Sequence, residues 1–274
     1  MFEIRGEIKV AKKFGQKLAD TRVYIKEHKM TFAVYLILRT IVIAAMVLSC
    51  IRGNYENLFV CTLSLILFMV PSFISNNFGI VLPNMLEIII LLFIFAANIL
   101  GEMQNYYLKI PYWDTMLHTI NGFISAAIGF GMVDILNTNQ PNDKFNLSPL
   151  FLSIVAFCFS MTVGTLWEFF EFTSDILFKT DMQKDTVINC ISSIKLNLLN
   201  LNKPVVVNNI TQTVVNGETL PIDGYLDIGL KDTMKDLFVN FIGAVVFSVI
   251  GYFYVKSRGK NKFANLFIPR AKRQ

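Results

Sequence analysis

The sequence predicts an all-α integral membrane protein: a six-span transmembrane helix bundle with a small extracytoplasmic loop insertion that carries a short β-hairpin. Three observations predict it. Apolar residues make up 54% of the 274 and charged residues only 16%, whereas a soluble domain is closer to a quarter charged. The apolar excess is gathered into six runs near the ~20 residues that cross a bilayer, and in each run it continues all round the helix, as lipid contact requires. Finally, basic residues collect at the two ends of the chain, as cytoplasmic flanks do.

Residues 1–30 form a basic N-terminal segment with eight Lys/Arg (Arg5, Lys9, Lys12, Lys13, Lys17, Arg22, Lys26 and Lys29). It lacks the apolar core of a secretory signal. From Phe2 to Tyr24 it reads either as a basic amphipathic helix on an anionic leaflet or as a solvated tail. The transmembrane domain covers 31–255, with spans at about 31–50, 57–75, 79–100, 114–136, 149–172 and 237–255. Residues 256–274 form a second basic tail with seven Lys/Arg. Two basic tails predict two cytoplasmic termini and an even number of spans. The turn near Asn76–Phe78 and the Asn/Pro-rich segment from Asn137 to Ser148 then face inward. The turns near Arg52 and Lys109 and the long segment 177–231 face outward. In that segment VVVNNITQTVV alternates β-branched and polar residues, and the NG of Asn216–Gly217 marks a turn, so a hairpin is expected there.

The formal net charge is +5, but fifteen of the 25 basic residues lie in the tails, with no aromatic-interleaved basic patch. The charge is a topology signal, and the expected partner is the lipid bilayer rather than nucleic acid. Cys50, Cys61, Cys158 and Cys190 show no CxxC or zinc-finger spacing. Cys158 reads as a small apolar filler, and Cys50 and Cys61 as a reduced pair flanking the first outer turn.

The chemistry-bearing residues fall at the outer ends of three spans. Asp114 and His118 are one turn apart at the start of the fourth. Glu168, Glu171 and Asp175 follow i,i+3,i+7 at the end of the fifth, and Asp232, Asp236 and Asn240 follow i,i+4,i+8 at the start of the sixth. Each set forms one stripe on its helix, so three helices are expected to bury their stripes against one another. Asp114 and Asp232 could instead cap helix N-termini. Glu168 and Glu171 lie at a helix C-terminus, where the dipole disfavours acids, and need another reason to be there. Crowded carboxylates repel unless protonated or neutralised, and Lys231 and Lys235 are the cations near them in sequence. A divalent metal held by Asp114, His118, Glu168, Glu171, Asp232 and Asp236 is the economical solution: oxygen donors suit Mg, Ca or Mn, and an imidazole favours Mn, Zn or Fe. His118 and Glu168 are the candidate acid/base pair.

Among the remaining polar residues, Arg39 and Glu87 lie at similar depth and predict an ion pair. Trp113 and Trp167 suit the membrane interface. Asn98 and Asn121 are expected to bond between helices, and Gly122, Gly129, Gly131 and Gly243 to allow close helix contact.

In the D-x-x-x-H of Asp114/His118, the E-x-x-E of Glu168/Glu171 and the D-T-x-x-D of Asp232, Thr233 and Asp236, the chain resembles a family of bacterial polytopic membrane proteins, the YjdF-type group. More distantly it resembles VanZ-like proteins. The likeness spans roughly 80–255. It implies a helical protein of the bacterial cytoplasmic membrane and, through the VanZ-like kinship, a role in the cell envelope. Three readings stay open. One is a small metal-dependent enzyme acting on a lipid or envelope precursor. The second is a cation- or proton-coupled transporter, and the third a non-catalytic envelope factor.

Overall fold

The structure, a computed structural model, describes residues 28–77, 80–138, 147–199, 201–257, 260 and 262–271. The expected amphipathic helix at Phe2–Tyr24 lies outside the described residues. Among the described residues, six helices are long and apolar enough to cross a membrane: Lys29–Ile51, Tyr55–Ser75, Asn84–Met103, Trp113–Ile135, Pro149–Phe178 and Leu230–Lys256. The chain is therefore a six-helix membrane bundle. Large apolar side chains such as Phe169, Phe172, Phe238 and Val246 stand exposed on its flanks, where lipid would cover them.

Helix α1 (Lys29–Ile51) leads through a tight turn to α2 (Tyr55–Leu67), whose start is capped by the Asn54 side chain accepting from Asn57 N at 3.0 Å. The second span is broken at residues 68–69 and resumes as α3 (Val70–Asn77). Pro71 lies in the first turn of the new segment, where its missing N–H costs nothing. Helix α4 (Asn84–Phe95) continues as a wider π-helical stretch, Ala96–Met103. This span starts at Asn84 rather than 79, because Ile80–Val81 form strand β1 instead. Arg39 meets Tyr35 one turn earlier on α1, donating to its hydroxyl and lying 5.3 Å from its ring centre.

After a short helix α5 (Tyr106–Lys109), the three remaining spans are α6 (Trp113–Thr138), α7 (Pro149–Phe178) and α8 (Leu230–Lys256). These three pack on one another more extensively than on the rest of the bundle. Glycine makes that possible. A Cβ on Gly243 would come 2.0 Å from Thr119 O, and one on Gly122 would come 2.2 Å from Asn240 O. Neither position has room for a side chain, so α6 and α8 approach backbone to backbone. Asn121 donates to Asn240 across this contact at 3.3 Å, and Ser160 on α7 donates to Gly122 O at 2.7 Å. Asn98, by contrast, bonds Ile94 O within its own helix. Cys158 is exposed on α7 rather than filling the core, because its face of the helix points away from α6 and α8.

Helix α8 begins at Leu230, seven residues before the apolar run, because Asp232 and Asp236 in its first two turns are buried against protein instead of facing lipid. Between α7 and α8 the loop forms short antiparallel strands. β2 (Val187–Ile188) pairs with β7 (Tyr225–Leu226), β3 (Ile191–Ser193) with β4 (Val205–Val207), and β5 (Val214–Val215) with β6 (Glu218–Thr219). The expected hairpin exists at β5–β6, turning on Asn216 and Gly217 with φ of 53° and 88°. The Val205–Val207 run belongs to a different pair.

The C-terminal segment returns to the bundle. Ala264 and Ile268 are fully buried, Pro269 lies against Gly131, and β8 (Arg270–Ala271) pairs with β1. His28 bonds the Asn84 side chain. The start of α1, the β1 turn and the C-terminal segment therefore share one end of the bundle, and the 179–229 loop lies at the other.

Candidate functional site

The polar stripes of α6, α7 and α8 meet inside the three-helix core at the loop end. On α6, Asp114 and His118 are one turn apart, with His118 Nε2 3.4 Å from Asp114 Oδ1. From α8, Asp236 Oδ2 reaches within 3.8 Å of the same Nε2. From α7, Glu168 Oε1 stands 3.9 Å from the other ring nitrogen, Nδ1. The imidazole thus faces three carboxylates from three helices. His118, Glu168 and Asp236 are buried, Asp236 to 1% exposure.

Lys235 completes the group. Its Nζ lies 2.9 Å from Asp232 Oδ1, 3.5 Å from Asp114 Oδ2 and 3.5 Å from Asp236 Oδ1. It bonds Asp232 and forms looser ion pairs with the other two; Asp114 Oδ2, Asp236 Oδ1 and Glu168 Oε2 make no hydrogen bond. Buried oxygens without donors are rare, because each forfeits its hydration. Asp232 also accepts from Lys184 N at 2.9 Å, which ties the loop over the site. Its expected capping role falls to another residue: Asp227 accepts from Lys231 N at 2.8 Å and Thr186 N at 2.9 Å. Asp114 likewise turns to His118 and Lys235.

Glu171 is buried one turn beyond Glu168 and accepts from Trp167 Nε1 at 2.9 Å. Trp167, three turns before the end of α7, therefore anchors an acid. Asp175 serves the loop. It accepts from Thr180 Oγ1 at 2.7 Å, Met182 N at 2.7 Å and Gln183 N at 2.9 Å, just past the α7 terminus at Lys179. The Gln183 side chain then bonds Thr233 on α8.

Two contributors were not among the residues singled out for the site. Lys235 was legible as an i,i+3 neighbour of Asp232, but long Lys side chains usually solvate, and only the packing turns this one inward. Tyr107 lies outside the spans, and its ring occupies the space a side chain at Gly101 would need. Burial raises its phenol above the ordinary value, with Glu102, Asp114, Glu171 and Asp236 adding to the shift, so it stays neutral beside the acids. No sequence spacing links Tyr107 to the three stripes.

One ligand atom each from Asp114, His118 and Asp236 lie within 4.8 Å of one another, a spacing that could hold a metal ion. Carboxylate and imidazole donors fit a divalent cation chemically. Glu168, Glu171 and Asp232 surround this trio.

A protein family described as "Predicted membrane protein (DUF2238)" matches residues 34–257. An uncharacterised protein of Thermotoga maritima is 29% identical over 114 residues, 40% of this chain and 56% of that protein. The chain thus covers little more than half of that relative. No solved structure matches the chain. The family match takes in all three acidic stripes and most of the bundle, and on it the chain belongs to the DUF2238 family of predicted membrane proteins.

Proposed function

We propose that the protein is a divalent-metal-dependent membrane enzyme acting on a lipid or envelope-precursor headgroup at the outer face of the bacterial cytoplasmic membrane. The observation that carries this reading is the trio of Asp114, His118 and Asp236, whose ligand atoms lie within 4.8 Å of one another. Three protein ligands leave a coordination position open, as catalytic sites do. His118 Nε2 faces Asp114 and Asp236, while Nδ1 faces Glu168. That division suits a ligating nitrogen on one side and an orienting carboxylate on the other.

A metal bound there supplies a polarised oxygen and an activated water. The chain's own residues supply the rest. Asp114 and Asp236 offer one oxygen each to the ion and keep the other beside Lys235. Lys235 offsets part of the negative charge that would otherwise repel an anionic headgroup. Glu168, buried beside His118 with one oxygen free of hydrogen bonds, is positioned to take a proton from water. The tie between Lys184 N and Asp232 closes the loop over the site.

The test uses the full chain in nanodiscs containing lipid extracted from its own host's membranes, with lipid species followed by mass spectrometry. A lipid species consumed with Mn²⁺ but not with chelator is expected. Glu168→Gln should slow that loss by about 10²–10⁴-fold, the range for a general base. Equal conversion by wild type and Glu168→Gln would overturn the assignment. A cation or proton carrier is the second reading, supported by the burial of acids within spanning helices. It predicts ion flux into sealed vesicles without lipid turnover.

A further inference from the structure

Away from the acidic site, the β3–β4 hairpin ends in a tip that water should not tolerate. Leu198 is 97% and Leu199 77% exposed, with Leu196 and Leu201 also outward. The tip is built rather than slack. Asn197 Nδ2 donates to Lys203 O at 3.0 Å, closing its base, and Asn197 Oδ1 accepts from Leu199 N at 3.0 Å. The described residues of the tip thus present leucines outward, and the exposed Lys195 and Lys203 flank them.

We infer that this tip inserts into the lipid leaflet on its own side of the membrane, with its leucines among acyl chains and its two lysines at anionic headgroups. Three observations select a bilayer over a protein partner. Among the described residues of the tip, the exposed side chains are four leucines, two cations, Asn202 and Pro204, with no acid, a chemistry suited to an interface of hydrocarbon beneath negative charge. The loop is fixed at both ends to spanning helices, at Phe178 and Leu230, so its base stands at the membrane surface. The tip is about ten residues from the β2 strand, which sets ~33 Å as the upper limit of its distance from the loop base, so the tip stays close to the leaflet.

The test is a spin label at Leu198→Cys in a full-length chain whose four native cysteines are replaced by Ala, reconstituted at one chain per nanodisc. Discs of phosphatidylglycerol with phosphatidylcholine are compared with phosphatidylcholine alone and with lipid-free amphipol. In the mixed discs the label should meet oxygen more readily than a water-soluble nickel chelate, and it should sit deeper than in phosphatidylcholine alone. A label at Asn216→Cys, on the other hairpin turn, should stay aqueous. Nickel accessibility equal to that of the Asn216 label would overturn the inference. So would equal protection in lipid-free amphipol, which would mean that the tip is covered by protein. Equal depth in the two lipid mixtures would overturn the role given to the lysines.

Discussion

Lys235 sets the charge balance of the site. It stands between Asp114, Asp232 and Asp236, and its own side chain is 46% exposed. Losing one partner of a buried pair costs about 3–5 kcal/mol, and solvent at this half-exposed ammonium lowers that figure. Lys235→Met should therefore destabilise the protein by about 1–2 kcal/mol in chelator, read as a lower melting temperature in detergent. A divalent cation should restore most of the loss by taking over the neutralising role. No recovery with Mn²⁺, Mg²⁺ or Zn²⁺ would mean that these carboxylates do not bind such an ion. At this scale the stripes were legible because i,i+4 spacing holds whatever the fold. The direction of Lys235 was not, since one long side chain can reach solvent or core with equal ease. Tyr107 was hidden for a related reason: its place depends on the missing Cβ of Gly101.

Among the elements, the α6–α8 contact holds the stripes together. Gly243 faces Thr119 and Gly122 faces Asn240, both closer than any Cβ allows. Gly243→Ala must part the helices or bend one, and overpacking of this kind costs about 1–3 kcal/mol. Its melting temperature should fall, and its affinity for metal should fall with it, because Asp236 lies two turns before Gly243 on the same helix. An unchanged metal affinity in a destabilised Gly243→Ala protein would uncouple the contact from the site. Spans announced themselves through apolar runs. The first turns of α8 lie outside its apolar run, and only the i,i+4 spacing of Asp232 and Asp236 marks LKDTMKD as helix. The β1–β8 pairing was out of reach for another reason: two-residue strands distant in sequence leave no periodic signal, and only the packing of Ile268 and Pro269 brings them together.

For the whole molecule, charge predicts that both tails face the cytoplasm. The tails hold fifteen of the 25 basic residues, and the start of α1 shares one end of the bundle with the C-terminal segment. Reporter fusions at Lys144 and Asn208 should read cytoplasm and exterior respectively. An exterior Lys144 would invert the assignment and turn the acidic site towards the cytoplasm. The reading as a metal enzyme rests on the ion itself. The measurement to make is the metal content of purified, folded protein after loading with Mn²⁺ or Zn²⁺ and removal of excess. About one equivalent is predicted for the wild type, as three ligands around one centre require, with little retained by Asp236→Asn or His118→Gln. Glu168→Gln should keep the site but weaken binding by roughly 10–100-fold, the usual effect of losing an orienting partner. Wild-type protein that holds no more metal than Asp236→Asn, both being folded, would contradict the reading.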